Sequence, residues 1–198
     1  MEHKNQKTAF IKRSSIIWII ALIALDQGIK LLIAHFMLDM QFTIIPHVFT
    51  FRVTQNIHLG WIPSMLDFMM PLYMAIMISV VAILFLIMFY RYLKFITFNW
   101  GKYNYIPTVF LILALSGGFC KLIDDIFWGG TLDFIQLFDW FIFDLKDVYL
   151  TIAGIMIVFY VIAYEVLYLH KLPKEKRKEE RIKQRFWYWI KLGFPMKP

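Results

Sequence analysis

Residues 116–150, SGGFCKLIDDIFWGGTLDFIQLFDWFIFDLKDVYL, decide the fold. The stretch leaves one apolar segment at Asp124 and enters the next at Asp147. Two spans joined in this way put both carboxylates at one depth, on one side of a bilayer. A charged side chain at membrane depth is costly and marks a functional site by default. The pair Asp124 and Asp147 is therefore the first place to look for chemistry.

Working outward, the 198 residues are 60% hydrophobic and 19% aromatic, against about 45–50% apolar in a soluble domain. Four segments, about 16–36, 69–90, 105–123 and 147–167, approach the roughly 20 apolar residues that a spanning helix needs. Pro107 falls near the start of the third, where proline is tolerated. The net charge of +7 is unevenly spread, with ten of the 21 Lys/Arg after residue 170 and four in the first 13. The short connection 91–104 carries Arg91, Lys94 and Lys102, whereas the longer ones carry Arg52 and Lys146. The positive-inside rule then puts both termini in the cytoplasm. No domain suited to nucleic acid accompanies the basic ends, which are expected to rest against anionic lipid. Lys4, Lys7, Lys12 and Arg13 precede an apolar run that continues past Asp26 without a small-residue cleavage site, so a retained anchor is expected. Cys120 stands alone, allowing no intrachain disulfide and offering no metal-ligand spacing.

The expected fold is an all-α membrane protein: four transmembrane helices, both termini cytoplasmic, and a small β-rich cradle at the outer face. Residues 1–168 form the membrane domain, with outer loops 37–68 and 125–146. Residues 169–198 form a basic and aromatic cytoplasmic interfacial tail. Partial alternation over 42–54 predicts one or two strands on the membrane surface. The loop 125–146 holds Asp125, Asp133, Asp139 and Asp144 among dense apolar residues. It is predicted to lie half-immersed, with Trp128 and Trp140 at headgroup level. His47 and His58 have no ligand cluster around them, so no metal is expected.

Helix direction assigns roles to the pair. Asp147 starts an inward helix, whose positive dipole end suits a base; Asp124 ends an outward helix, whose negative end suits an acid. Two nearby carboxyls share one proton, and a water between them can attack a peptide carbonyl without metal or nucleophilic side chain. The alternative is that both merely cap helix ends, since Asp is a good N-cap. Asp26 and Lys30, four apart on one helical face, are predicted to pair toward the bundle interior. Whether that pair only locks helices or also holds substrate is open at this level.

These motifs resemble those of lipoprotein signal peptidases (signal peptidase II). Asp26-Gln27-Gly28-Ile29-Lys30 matches the family's DQxxK. Leu122-Ile123-Asp124, followed by Gly129 and Asp133-Phe134, is similar to its LIDR…G…DF block. Phe143-Asp144-Leu145-Lys146-Asp147 falls where the family has FNxAD. The resemblance covers the chain outside its tails. It implies that Asp124 and Asp147 are catalytic, that Asn56, Asp26, Lys30 and Asp133 contact substrate, and that no cofactor is needed. It also implies a bacterial prolipoprotein substrate, cut before its diacylglyceryl-modified cysteine at the outer face of the cytoplasmic membrane, with membrane lipid as the other partner. The residues around the site, Lys121, Asp125, Gly129, Asp144 and Lys146, depart from the pattern at four positions. Lys121 and Asp144 replace asparagines, Asp125 an arginine and Lys146 an alanine. The second reading is therefore a catalytically altered relative that binds lipoprotein or lipid without cleaving it. A small transporter is the third, favoured only by the intramembrane Asp26 and Lys30.

Overall fold

The computed structural model describes residues 13–138 and 140–197. Lys4, Lys7, Lys12 and Asp139 lie outside the described residues, as do the side chains of Trp61 and Lys102. Four helices are long and apolar enough to cross a membrane. They are α1 (Arg13–Phe36), α3 (Leu72–Ile96), α4 (Ile106–Ile123) and α5 (Leu145–Ala163), with a five-residue helix α2 (Trp61–Met65) before α3. The protein is a multi-pass membrane protein, and its apolar side chains face outward as that requires. Trp18, Leu84 and Phe159 are each more than 60% exposed, and the surrounding lipid covers such surface.

The spans run past the ends expected from hydropathy. Asp124 does not end its helix: a π-helical turn, Asp124–Trp128, carries α4 on, and Gly129 closes it in the left-handed region at φ 63°. Helix α5 starts two residues before Asp147. Asp144 is its N-cap, and Asp144 and Asp147 each accept the other's backbone N–H in a capping box. That arrangement satisfies two orphan donors at the helix start.

Between the spans lies one antiparallel sheet in the order β1 (Gln41–Ile45), β2 (Phe49–Asn56), β3 (Thr131–Leu137) and β4 (Phe141–Phe143). The loop 125–146, expected to lie half-immersed at the interface, supplies half of this sheet. Its pairing partner β2 is far away in sequence, with Thr54 opposite Asp133 and Asn56 opposite Thr131. Local alternation could not reveal that. Phe51, Leu132 and Phe134 pack with Ile33 of α1 and seat the sheet on the bundle.

Two close approaches fix where the sheet and helices meet. A Cβ at Gly130 would lie 2.5 Å from the Asn56 carbonyl oxygen, and one at Gly117 would lie 2.6 Å from Leu150 Cγ. At the opposite end, α6 (Lys174–Lys183) and α7 (Phe186–Lys191) fold back on α3. Trp189 is fully buried against Tyr92 and Phe186, the Tyr92 hydroxyl donates to Gln184 O, and the Arg91 guanidinium donates to Phe194 O.

Gly130→Ala is expected to destabilise the protein by about 1–3 kcal/mol, because backbone has to shift to admit the methyl group. Gly154→Ala, whose Cβ would meet nothing within 4 Å, is expected to be neutral or slightly stabilising. Thermal unfolding in detergent compares the two.

Candidate active site

The polar residues at the junction of bundle and sheet divide into a closed cluster and an open one. The closed cluster is organised by Lys30. Its Nζ lies 3.0 Å from Asp26 Oδ2, 2.6 Å from Asp124 Oδ2 and 2.5 Å from Asp144 Oδ2, with every one of these side chains at 0% exposure. The three carboxylates could by spacing hold a metal ion, but an internal ammonium already lies at their focus. Gln27 Nε2 donates to Asp124 Oδ1 at 3.0 Å, and Trp128 Nε1 donates to Gln27 Oε1. The Lys146 backbone N–H donates to Asp26 Oδ1 at 3.1 Å. These bonds tie α1, α4 and α5 at one depth.

The open cluster is Asp133, Asp144 and Asp147, which offer carboxylate oxygens within 4.8 Å of one another. Asp133 and Asp147 line a cavity of about 510 Å³, together with Asn56, Lys121, Thr131, Trp140 and Lys146. Asp133 Oδ1 is buried without a hydrogen-bond partner, and Lys146 Nζ stands off at 4.0 Å. Burial pushes the Asp133 carboxyl up to about 8, against the opposing pull of Lys146. Asp144 behaves in the opposite way. Burial works against its charge, but the Lys146 and Lys30 ammoniums outweigh it and hold the carboxyl below the ordinary range.

The residues expected from sequence are thus distributed unequally. Asp147 and Asn56 line the cavity, and so does Asp133 beside Asp147. Asp124 does not. It is fully buried, hydrogen-bonded on both oxygens, and absent from the cavity wall. Asp26 and Lys30, 1% and 0% exposed, lie in the closed cluster, where Lys30 pairs with Asp26, Asp124 and Asp144. Lys121 and Asp125 form an ion pair of their own. Lys121 Nζ also donates to Leu59 O at 3.1 Å, and Ser79 Oγ donates to Asp125 at 3.3 Å. This pair pins the segment before α2 to α4. Gly129 serves the chain reversal into β3.

A second hollow, about 710 Å³ and almost wholly apolar, lies between α2, α3 and α4. It shares Gly60, Lys121 and Leu150 with the first cavity. Sequence reading did not find it, because it depends on α2, a helix too short to leave a periodic signal.

Four spans, a surface sheet and carboxylates gathered over a cavity define a membrane-embedded peptidase of the aspartic class. The chain belongs to the signal peptidase II family: residues 18–163 match the family described as signal peptidase (SPase) II, aspartic endopeptidases that act on prolipoproteins. Among solved structures it is similar to a bacterial membrane enzyme determined by the in meso method at 2.3 Å resolution. The two are 23% identical with a TM-score of 0.63, over 81% of this chain and 94% of that one. A bacterial membrane enzyme determined by the same method at 1.9 Å is 24% identical, with a TM-score of 0.59 over 75% and 92%. These two likenesses show the fold. Comparison with curated protein sequences gave no match.

Replacing Lys30 with Met would leave three buried carboxylates around a neutral side chain. Breaking a buried ion pair in this way costs about 3–5 kcal/mol. Lys30→Met is therefore expected to be poorly folded, as read by yield of monodisperse protein and by thermal unfolding.

Proposed function

We propose that Asp133 and Asp147 are the catalytic pair, cleaving the signal peptide from a diacylglyceryl-modified prolipoprotein before its lipidated cysteine. The observation that carries this reading is the shared cavity. Asp133 and Asp147 both line it, while Asp124 is shut away behind Lys30. A hydrolytic aspartate pair has to reach one water and one peptide carbonyl, and geometry comes before any other criterion.

In this scheme Asp133 holds the shared proton, consistent with its burial and its upward displacement to about 8. Asp147 takes a proton from the attacking water while Asp133 gives its own to the carbonyl oxygen. The resulting gem-diol collapses as Asp147 returns its proton to the departing nitrogen and a diol hydroxyl reprotonates Asp133. No metal or covalent intermediate is required. Asn56, at the end of β2 and on the cavity wall, is suited to hydrogen-bond the extended peptide. Its Oδ1 already accepts the His58 N–H at 3.2 Å.

The apolar hollow supports the lipid part of the substrate. It adjoins the catalytic cavity at Lys121 and Leu150, so acyl chains lying there leave the modified cysteine beside the carboxylates. The sheet then faces the outer side of the bacterial cytoplasmic membrane. The tail α6–α7, with exposed Trp187 and many lysines and arginines, lies against the cytoplasmic leaflet. Asp26, Lys30 and Asp124 act as the brace beneath the site. The reading as a non-cleaving lipoprotein binder rests on the altered Asp144 and Lys146, of which only Lys146 lines the cavity, 4.0 Å from Asp133.

Asp133→Asn and Asp147→Asn are each expected to lower turnover by about 10³-fold while leaving the unfolding temperature and substrate binding near the wild-type values. For the wild type, kcat/KM is expected to fall as pH rises through about 8, the point at which Asp133 loses the proton it must donate. A rate constant through pH 9 would contradict that role.

A further inference from the structure

Asp144 and Lys146, which stand where the family motif has asparagine and alanine, form one charge unit next to the proposed pair. The Lys146 side chain is 4% exposed, and its Nζ lies 2.5 Å from Asp144 Oδ2 and 3.3 Å from Asp124 Oδ2. The same ammonium stands 4.0 Å from Asp133 Oδ1, the oxygen with no hydrogen bond. Among the described residues it is thus the one lysine that forms an ion pair with Asp133 as well as with carboxylates of the closed cluster.

We propose that Lys146, held by Asp144, is a positioning residue through which the charge balance of the buried cluster sets the protonation of the reacting carboxyl Asp133. This rests on the reading of Asp133 and Asp147 as the reacting pair. The closed cluster sets three carboxylates (Asp26, Asp124, Asp144) against two ammoniums (Lys30, Lys146). Removing Lys146 leaves three against one in a dry site, an imbalance that a low dielectric magnifies. Removing Asp144 leaves two against two, but frees the Lys146 ammonium from its shortest contact and lets it swing toward Asp133. Removing both restores the original excess of one carboxylate. The two substitutions together therefore keep a charge balance that either alone would upset, and a double-mutant cycle measures such coupling.

The coupling predicts opposite effects on one titration. The charges of Lys146 and Asp147 of α5, Asp144 at its N-cap and Lys30 of α1 act on Asp133. Lys121 of α4 lies across the cavity. Losing Lys146 removes the nearest cation; losing Asp144 removes a nearby anion and releases that cation.

The experiment is the pH dependence of kcat/KM for a diacylglyceryl-modified prolipoprotein, using the full chain in lipid nanodiscs. Lys146→Met is expected to move the alkaline limb up by about one pH unit, the effect of a single opposite charge at this range. It is also expected to lower turnover. Asp144→Asn is expected to move the same limb down, and the double variant to fall between the two and to recover part of the turnover lost in Lys146→Met. Lys146→Arg should keep the limb near its wild-type position. Limbs that stay put in all variants, or that move the same way in Lys146→Met and Asp144→Asn, overturn the proposal, since a packing role moves neither. If Lys146→Met fails to fold, the downward shift in Asp144→Asn decides the matter alone. Full activity in Asp133→Asn would instead remove the reading on which the proposal rests, and is a separate outcome.

Discussion

A single ammonium, Lys30, holds the structure's interior together. It enters from α1, and its three carboxylate partners come from α1 itself, from the π turn that continues α4 and from the N-cap of α5. Each of these groups would be strongly disfavoured alone in a membrane protein's interior. Together they specify how the helices meet, since no shift of register keeps all three contacts. The sheet is then seated on a fixed platform by Phe51, Leu132 and Phe134 against Ile33. The cavity exists because platform and sheet are held apart by that geometry.

In the proposed reading, the same constraint sorts the aspartates by role. An acid bound on both oxygens and walled from solvent braces the fold; an acid with an unsatisfied oxygen beside a cavity is free to handle a proton. Asp124 is of the first kind and Asp133 of the second, although both lie in one short stretch. Asp144 belongs to both clusters, bonded inward to Lys30 and within 4.8 Å of the open pair. That dual membership explains why its charge needs Lys146. The reciprocal exchange at Lys121 and Asp125 makes a second balanced pair, which fastens the segment beside the apolar hollow.

Much of this was legible in the sequence. The four spans follow from the length of the apolar runs, and the pairing of Asp26 with Lys30 follows from their helical spacing. Asp147 was recognisable as a helix-start residue, although Asp144 is the cap. What was hidden depends on partners distant in the chain. β3 is invisible locally because TLDFIQL reads as part of a dense aromatic run, and only pairing with β2 makes it a strand. Asp124 looked like a helix end because the apolar segment stops there, whereas the helix continues through a π turn. Above all, spacing cannot tell which carboxylate meets water. That is decided by Lys30, 94 residues from Asp124 in sequence, and by Lys146 lying against both clusters.

The most direct measurement is a crystal structure of the protein with a lipidated peptide whose scissile bond is replaced by a hydroxyethylene unit, a stand-in for the tetrahedral intermediate. The account predicts its hydroxyl within hydrogen-bond distance of both Asp133 and Asp147, with Asp124 still bound to Lys30. A hydroxyl seated between Asp124 and Asp147, or a peptide lying outside the cavity altogether, would contradict it.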